Sequence, residues 1–186
     1  ILEHILSKAK KEGFKNFIFT INYLGQKIKK YFGDGKKWNV KINYVKEKLP
    51  LGTVGGIKLI KTLPKEPIIV CNGDVISDIK FGDLLNFHIN NKAFATMAIK
   101  SYEIENPYGV VNLRGEKILN LDEKPVIKSN INVGVYIFNP KAINYIRNNE
   151  SLDMNNFFDR LVKLNKRVLA YPVYESWADI GRPSDL

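Results

Sequence analysis

An α/β fold around a mixed, mostly parallel central sheet is the architecture this sequence predicts, on three observations. Through the first half, short apolar runs alternate with stretches of helical periodicity, the pattern of βαβ units. The strand candidates are dense in Ile, Val and Phe rather than alternating with polar residues, as strands buried on both faces are. In the second half a hairpin pattern interrupts the alternation and contributes antiparallel strands. Helices on both faces of such a sheet make a Rossmann-like three-layer sandwich.

The elements follow in order. Ile1, Leu2, Ile5, Leu6 and Ala9 recur at helical spacing, and Gly13 suits a left-handed helix end. Phe14–Asn22 reads as a buried strand, and Leu24–Phe32 as a helix closed by Gly33-Asp34-Gly35. Val40–Val45 alternates as a strand. Leu51–Gly56 is a glycine-rich loop expected to feed a helix through Leu63. Pro67–Cys71 is a buried strand that ends in Asn72-Gly73-Asp74. Phe81–Asn90 is a helix and Ala93–Lys100 a strand. Tyr108–Leu113 and Lys117–Leu121 flank Arg114-Gly115-Glu116 as a hairpin. Asn132–Phe138 is a strand, and the next helix starts with Pro140 at its first position. Phe157–Leu164 is the last helix and Val168–Trp177 the last strand. No repeat or linker divides residues 1–186, so one domain is expected.

Composition narrows the function. With 45% hydrophobic residues the chain has material for a full core. No apolar run approaches the roughly 20 residues of a membrane-spanning helix. Cys71 is the only cysteine, so a disulfide framework within the chain is excluded and a cytoplasmic setting is expected. The net charge is +10, spread from Lys8 to Arg182. Nucleic-acid binders concentrate basic and aromatic residues in one segment, so a lysine-rich surface or a polyanionic small molecule fits better.

Several residues are candidates for chemistry. Asp74 lies just past the carboxyl end of a strand, where ligands gather in parallel α/β sheets. A carboxylate there suits a divalent cation held partly by phosphates, although Asn-Gly-Asp is also an ordinary turn. The glycines at 52, 55 and 56 let backbone N–H groups approach a ligand at a helix start. They match neither the Walker nor the dinucleotide spacing. Lys124 is either a point charge for phosphate or a solvated lysine. Asp179 is either a second carboxylate for the same metal or a strand terminus. His4 and His88 lack acidic or cysteine partners and read as packing or surface residues, Cys71 as a small core residue. No Ser-His-Asp or zinc spacing is present.

The order of these pieces says more than each alone. Pro50–Gly56 (PLGTVGG), Asn72–Asp74 (NGD), Tyr108–Val111 (YGVV), Glu123–Pro125 (EKP), Asn132–Tyr136 (NVGVY) and Trp177–Gly181 (WADIG) follow one another along the chain. That succession resembles the sugar-1-phosphate nucleotidyltransferases, and its mannose-1-phosphate guanylyltransferase-like branch in particular. The resemblance implies the nucleotide-diphospho-sugar transferase fold, with an NTP (GTP favoured) and a hexose 1-phosphate as substrates. It implies Mg²⁺ on Asp74 and Asp179, Lys124 on the sugar phosphate and Glu123 on the sugar hydroxyls. Gly109 and Asn132 would line the sugar pocket, and Glu47 through Thr53, Gly52 above all, would face the nucleobase. Leu51, Asn72, Gly73, Tyr108 and Trp177 complete the implied substrate contacts.

Members of that family begin with a strand, a G-G-x-G-T-R-L loop and a downstream lysine. The 186 residues hold none of these, and Ile1–Leu6 resembles the helix that follows the loop. The resemblance therefore implies a domain without its first strand and phosphate loop, inactive as this polypeptide alone. A sugar 1-phosphate is already a strong anionic nucleophile (second pKa about 6), so such a reaction needs positioning and charge neutralisation rather than a protein base. The alternatives are a non-catalytic paralogue that binds nucleotide sugars and regulates a partner, and a glycosyltransferase, whose usual D-x-D is absent after Asp74. A homo-oligomer is compatible with the sequence; nucleic acid and membrane are not the expected partners.

Overall fold

The computed structural model describes residues 1–181; Arg182, where the spread of basic residues ends, lies outside them. The core is a four-stranded sheet in the order β3 (Ile68–Cys71), β8 (Val126–Phe138), β5 (Ala95–Glu105) and β9 (Val168–Pro172). β8 is antiparallel to both β3 and β5, and β9 is parallel to β5. Thus β3, β5 and β9 point one way and β8 the other: the sheet is mixed, as expected, but because β8 lies between β3 and β5, two of its three ladders are antiparallel. Three two-stranded units complete the set: β1 (Asn16–Ile21) parallel to β2 (Lys41–Lys46), β4 (Val75–Ser77) antiparallel to β10 (Trp177–Asp179), and the hairpin of β6 (Val110–Arg114) and β7 (Lys117–Asp122).

Strand alternation sends side chains to opposite faces, and helices cover both. Ile68 and Val70, Tyr136 and Phe138, and Ala95 and Met97 meet Phe157, Phe158 and Leu161 of α5 (Met154–Lys163). On the other face Ile69 and Cys71, Val135 and Ile137, and Ala98 meet Phe81 and Leu84 of α4 (Phe81–Asn90) and Ala9 of α1 (Leu2–Lys11). These are the three layers of the expected sandwich.

α1 also spans to the β1–β2 pair, where Leu6 packs with Ile42 and with Phe32 of α2 (Gly25–Phe32). Its one interior-facing charge is Lys8, whose Nζ donates to the carbonyls of Ser77 (2.8 Å) and Ile79. Desolvation lowers the pKa of that amine. Gly13 follows the helix with φ +94°, the left-handed turn its sequence position suggested.

Some expected boundaries shift. The helix expected through Leu63 is one short turn, α3 (Gly52–Gly55), continued as a 3₁₀ turn over Gly56–Leu59, because its glycines are used for close packing. The last strand divides into β9 and β10. β5 and β8 run further than expected, through 101–105 and 126–131, where their residues are largely exposed and carry no continuous apolar run. The helix after Asn139-Pro140 is a 3₁₀ segment, Pro140–Tyr145, capped by the Asn139 side chain accepting from Lys141 N (3.0 Å).

His88 is buried in α4 with Nδ1 2.8 Å from Thr96 Oγ1, a packing histidine as its isolation implied. Burial lowers its pKa, so below the unfolded-state value of about 6.5 the unfolded chain binds more protons than the folded one. Stability contributed by the neutral ring is therefore full above that pH and lost as pH falls. Urea unfolding midpoints are expected to drop between pH 7 and pH 5, and the drop to shrink in His88→Gln, which retains a hydrogen-bonding partner for Thr96.

Candidate active site

β8 does not keep step with β5. The register jumps between Met97↔Tyr136 and Ile99↔Asn132, so Val133, Gly134 and Val135 face the single residue Ala98. Gly134 takes φ +77°, and a Cβ there would lie 2.9 Å from both Asn72 Nδ2 and Val75 Cγ2. Such a bulge re-aims neighbouring side chains and backbone. Gly134 O accepts from Asn72 N (2.8 Å), Gly134 N donates to Asn132 Oδ1 (3.0 Å), and Trp177 Nε1 donates to Val133 O (2.8 Å). The end of β3, the bulge and the start of β10 are thus pinned to one place.

That pinning aligns two carboxylates 105 positions apart in sequence. β10 pairs with β4 so that Asp179 stands opposite Val75, next to Asp74, and Ile180 N donates to Asp74 O (3.0 Å). A Cβ placed on Gly181 would lie 3.1 Å from Asp179 Oδ1 and 3.6 Å from Asp74 Oδ2, so both acids line one small space that glycine keeps open. Asp74 is half-buried and Asp179 exposed, while Gly73 has nothing near its Cβ position. Beside them the Cys71 thiol, desolvated and close to the Asp74 charge, is pushed up to about 12. It donates weakly to Asn72 O (3.2 Å) and is no nucleophile at neutral pH.

A second cluster holds Glu47, Leu51, Gly52 and Thr53. The expectation that this glycine-rich loop offers free N–H groups to an anion is not met for three of its amides. Leu51 N donates to Glu47 Oε2 (3.3 Å), Thr53 N to Asp153 Oδ1 (3.4 Å) and Val54 N to Leu152 O (3.1 Å). In return Leu152 N donates to Leu51 O (2.9 Å) and Met154 N to Thr53 Oγ1 (2.7 Å). Cβ atoms on Gly52 and Gly55 would meet the carbonyls of Leu152 and Glu150 at 2.5 and 2.4 Å. The glycines let two chain segments touch. Glu150 is itself clamped by Arg160 (Nη2–Oε1 2.5 Å), which with the Arg147 amide holds its carboxyl down at about 2.

A family model described as "Nucleotidyl transferase" matches residues 1–186. The chain belongs to the nucleotidyl transferase family. Among its relatives, the mannose-1-phosphate guanylyltransferase catalytic subunit beta of Dictyostelium discoideum is 32% identical over 98% of this chain and 52% of its own length. The UTP--glucose-1-phosphate uridylyltransferase of Synechocystis is 29% identical over 100% and 53%. The chain thus spans about half the length of the curated relatives it matches. The solved structure of Yersinia pseudotuberculosis HddC complexed with GMP-PN superposes with a TM-score of 0.73 at 21% identity, covering 99% of this chain and 81% of that one. A Bacillus anthracis structure described as a glucose-1-phosphate thymidylyltransferase in complex with sucrose gives 0.76 at 19% identity, over 99% and 78%. Both support the nucleotide-sugar transferase fold.

In this family member the first two clusters are joined through α5: Asn132 Nδ2 donates to Asn155 Oδ1 (2.9 Å), one residue after the Thr53–Met154 bond. A third group stands apart. Tyr108, Gly109, Glu123 and Lys124 lie where the β5–β8 ladder passes into the hairpin, with Asn106 N donating to Pro125 O (3.0 Å). A Cβ on Gly109 would sit 3.1 Å from Glu123 Oε2, and Lys124 is exposed with φ +45°. Lys124 is eight residues from Asn132, at most about 26 Å of extended strand, and no hydrogen bond or ion pair joins it to the carboxylates among the described residues.

Sequence reasoning passed over Asp153 and Asn155. The signal for Asp153 was an acid directly before an amphipathic helix, which reads as a cap, whereas it serves the 51–54 loop instead. It also passed over a cavity of about 310 Å³ at the carboxyl ends of β1 and β2, lined by Ile21, Asn22, Gln26, Lys27 and Lys46 among others. Gly52→Ala, with φ +72° and the Leu152 carbonyl in the way, is expected to lower stability by about 1–3 kcal/mol, measured by urea unfolding.

Proposed function

We propose that the protein transfers a nucleoside monophosphate from an NTP, with GTP preferred, to a hexose 1-phosphate, giving an NDP-sugar and pyrophosphate. The observation that carries this reading is the convergence of Asp74 and Asp179 on Gly181 at the carboxyl end of β3. A space lined by two carboxylate oxygens, without histidine or thiolate donors, fits Mg²⁺, which takes one or two carboxylates plus phosphate oxygens. Asp74 and Asp179 would hold it, and when bound it would neutralise charge on the phosphates of the NTP.

The chain's other residues then have definite tasks. Glu47, Leu51, Gly52 and Thr53 face the nucleobase. What supports this is continuity, since β2 delivers Lys46 to the cavity and Glu47 follows directly. Asn72, Gly73 and Trp177 line the space beside the carboxylates, Tyr108, Gly109 and Asn132 line the sugar pocket, Glu123 takes the sugar hydroxyls and Lys124 the sugar phosphate. A phosphate oxygen of the sugar 1-phosphate attacks the α-phosphorus, the O–Pα bond forms, and the bond to the β-phosphate oxygen breaks to release pyrophosphate. The nucleophile arrives ionised, so no residue need take a proton, in keeping with a site that holds no histidine. A reducing, cytoplasmic setting belongs to the same reading.

We further propose that the catalytic domain includes one more strand, carrying a glycine-rich loop for the triphosphate. β1 and β3 each pair on one side only among the described residues. Phe17 of β1 and Ile69 and Cys71 of β3 nevertheless pack on the same cluster beneath α1. A strand between them would join the two sheets.

Pyrophosphate release by the intact gene product, with Mg²⁺, four NTPs and a panel of hexose 1-phosphates, tests the reading. Release with a GTP–hexose pair is expected, abolished by chelation. Asp74→Asn and Asp179→Asn should each lower kcat/KM on the order of 100-fold or more. Lys124→Ala should raise KM for the sugar phosphate roughly 10- to 100-fold, the worth of a charged hydrogen bond of about 1.5–3 kcal/mol. Folded protein that binds an NDP-sugar yet releases no pyrophosphate would instead identify a regulatory, non-catalytic member.

A further inference from the structure

β4 and β10 form a ladder of three residue pairs, and neither pairs with any other strand among the described residues. A ladder that short is marginal in water by itself. The position of Asp179, at one end of it, therefore depends on what holds β4. Two amides fix the phase of the ladder: Asp78 N donates to Ser176 O (2.9 Å) and Ile180 N to Asp74 O (3.0 Å). Hydrogen-bonded and non-hydrogen-bonded pairs alternate along antiparallel strands, so the backbone of Ser77, opposite Trp177, faces away from β10. The carbonyls of Ser77 and Ile79 thus lie along the outer edge of β4. Both residues are buried, and buried carbonyls need a partner.

One side chain supplies it. Lys8 Nζ donates to both carbonyls, to Ser77 O at 2.8 Å, and lies 5.1 Å from the centre of the Phe81 ring. It donates where a neighbouring strand would. One turn further along α1, Glu12 Oε2 accepts from Gly82 N (2.8 Å), an amide in the first turn of α4. Positions i and i+4 share a helix face, so a single face of α1 grips residues 77–82 at both ends. Desolvation disfavours the charged amine, and the carboxylates of Glu12, Asp78 and Glu175 offset part of that effect.

We propose that Lys8 and Glu12 are positioning residues for the carboxylate pair. By fixing β4 against α1 they set where β10 lies, and so how Asp179 and Asp74 together meet a divalent cation. Neither is a ligand; both act through the backbone of Ser77, Ile79 and Gly82. The inference rests on the metal site of the reading above.

Mn²⁺ binding to the intact gene product, without nucleotide and followed by electron paramagnetic resonance, tests it. Lys8→Met keeps the stem of the side chain and loses its donors, and is expected to weaken Mn²⁺ binding about tenfold. Glu12→Leu should weaken it too, whereas Glu12→Gln, which can still accept from Gly82 N, should retain it. Leu6→Val loosens α1 on the β1–β2 side and should lower the urea midpoint with Mn²⁺ affinity unchanged. Binding lost in Asp74→Asn but unmoved in Lys8→Met would overturn the inference and leave the metal site standing. So would Leu6→Val weakening binding as much as Lys8→Met, since α1 would then act through overall stability alone. Should Lys8→Met not fold, equal affinities in Glu12→Leu and Glu12→Gln would overturn it. Unchanged binding in Asp74→Asn would overturn the metal site and this inference with it.

Discussion

β8 serves β3 on one side and β5 on the other, and it does so by breaking step at Gly134. The bulge turns the carbonyls of Val133 and Gly134 to receive the Trp177 indole and the Asn72 amide. Those two bonds hold the end of β3 against the start of β10, which sets Asp179 beside Asp74 across the β4–β10 pair. The Ile180 N–Asp74 O bond then ties the two acids directly, although they come from a short loop and a three-residue strand with little burial of their own. A β-bulge at the heart of the sheet therefore determines the geometry at its rim.

The chemistry that such a rim supports is one of placement. Neither histidine is at the site: His88 is enclosed with Thr96 between α4 and β5, and His4 lies on α1. The Cys71 thiol is held protonated by its burial. What remains is oxygen donors, amide-rich turns and lysines, a set matched to phosphates and hydroxyls rather than to proton transfer.

Much of this was legible in the sequence for physical reasons. Buried strands declare themselves by composition, so the sheet and its two covering layers were predictable, and Asp74 was found because it directly follows such a strand. Asp179 was singled out by its place beside Trp177, yet its partnership with Asp74 rests on a pairing of β4 and β10 too short to leave a pattern. The glycines at 52 and 55 also serve a packing role that the sequence alone does not announce. A glycine that admits a ligand and one that admits a neighbouring carbonyl look alike until the neighbour, Leu152 or Glu150, is seen. Asn155 gave no sign, since its role is to meet Asn132 across a turn of helix. The outer halves of β5 and β8 were missed because largely exposed strands lack the dense apolar run of the sheet interior.

The reciprocal bonds between Leu51–Val54 and Leu152–Met154 stitch together positions 101 residues apart. Met154 opens α5, and Asn155 beside it is tied to Asn132 at the bulge. The loop after β2 and the bulge in β8 are consequently two ends of one taut seam. A substitution that reshapes either end pulls on the other, so these distant segments are bound to drift in concert: a new shape at Gly52 must be answered at Leu152, and again at Asn132.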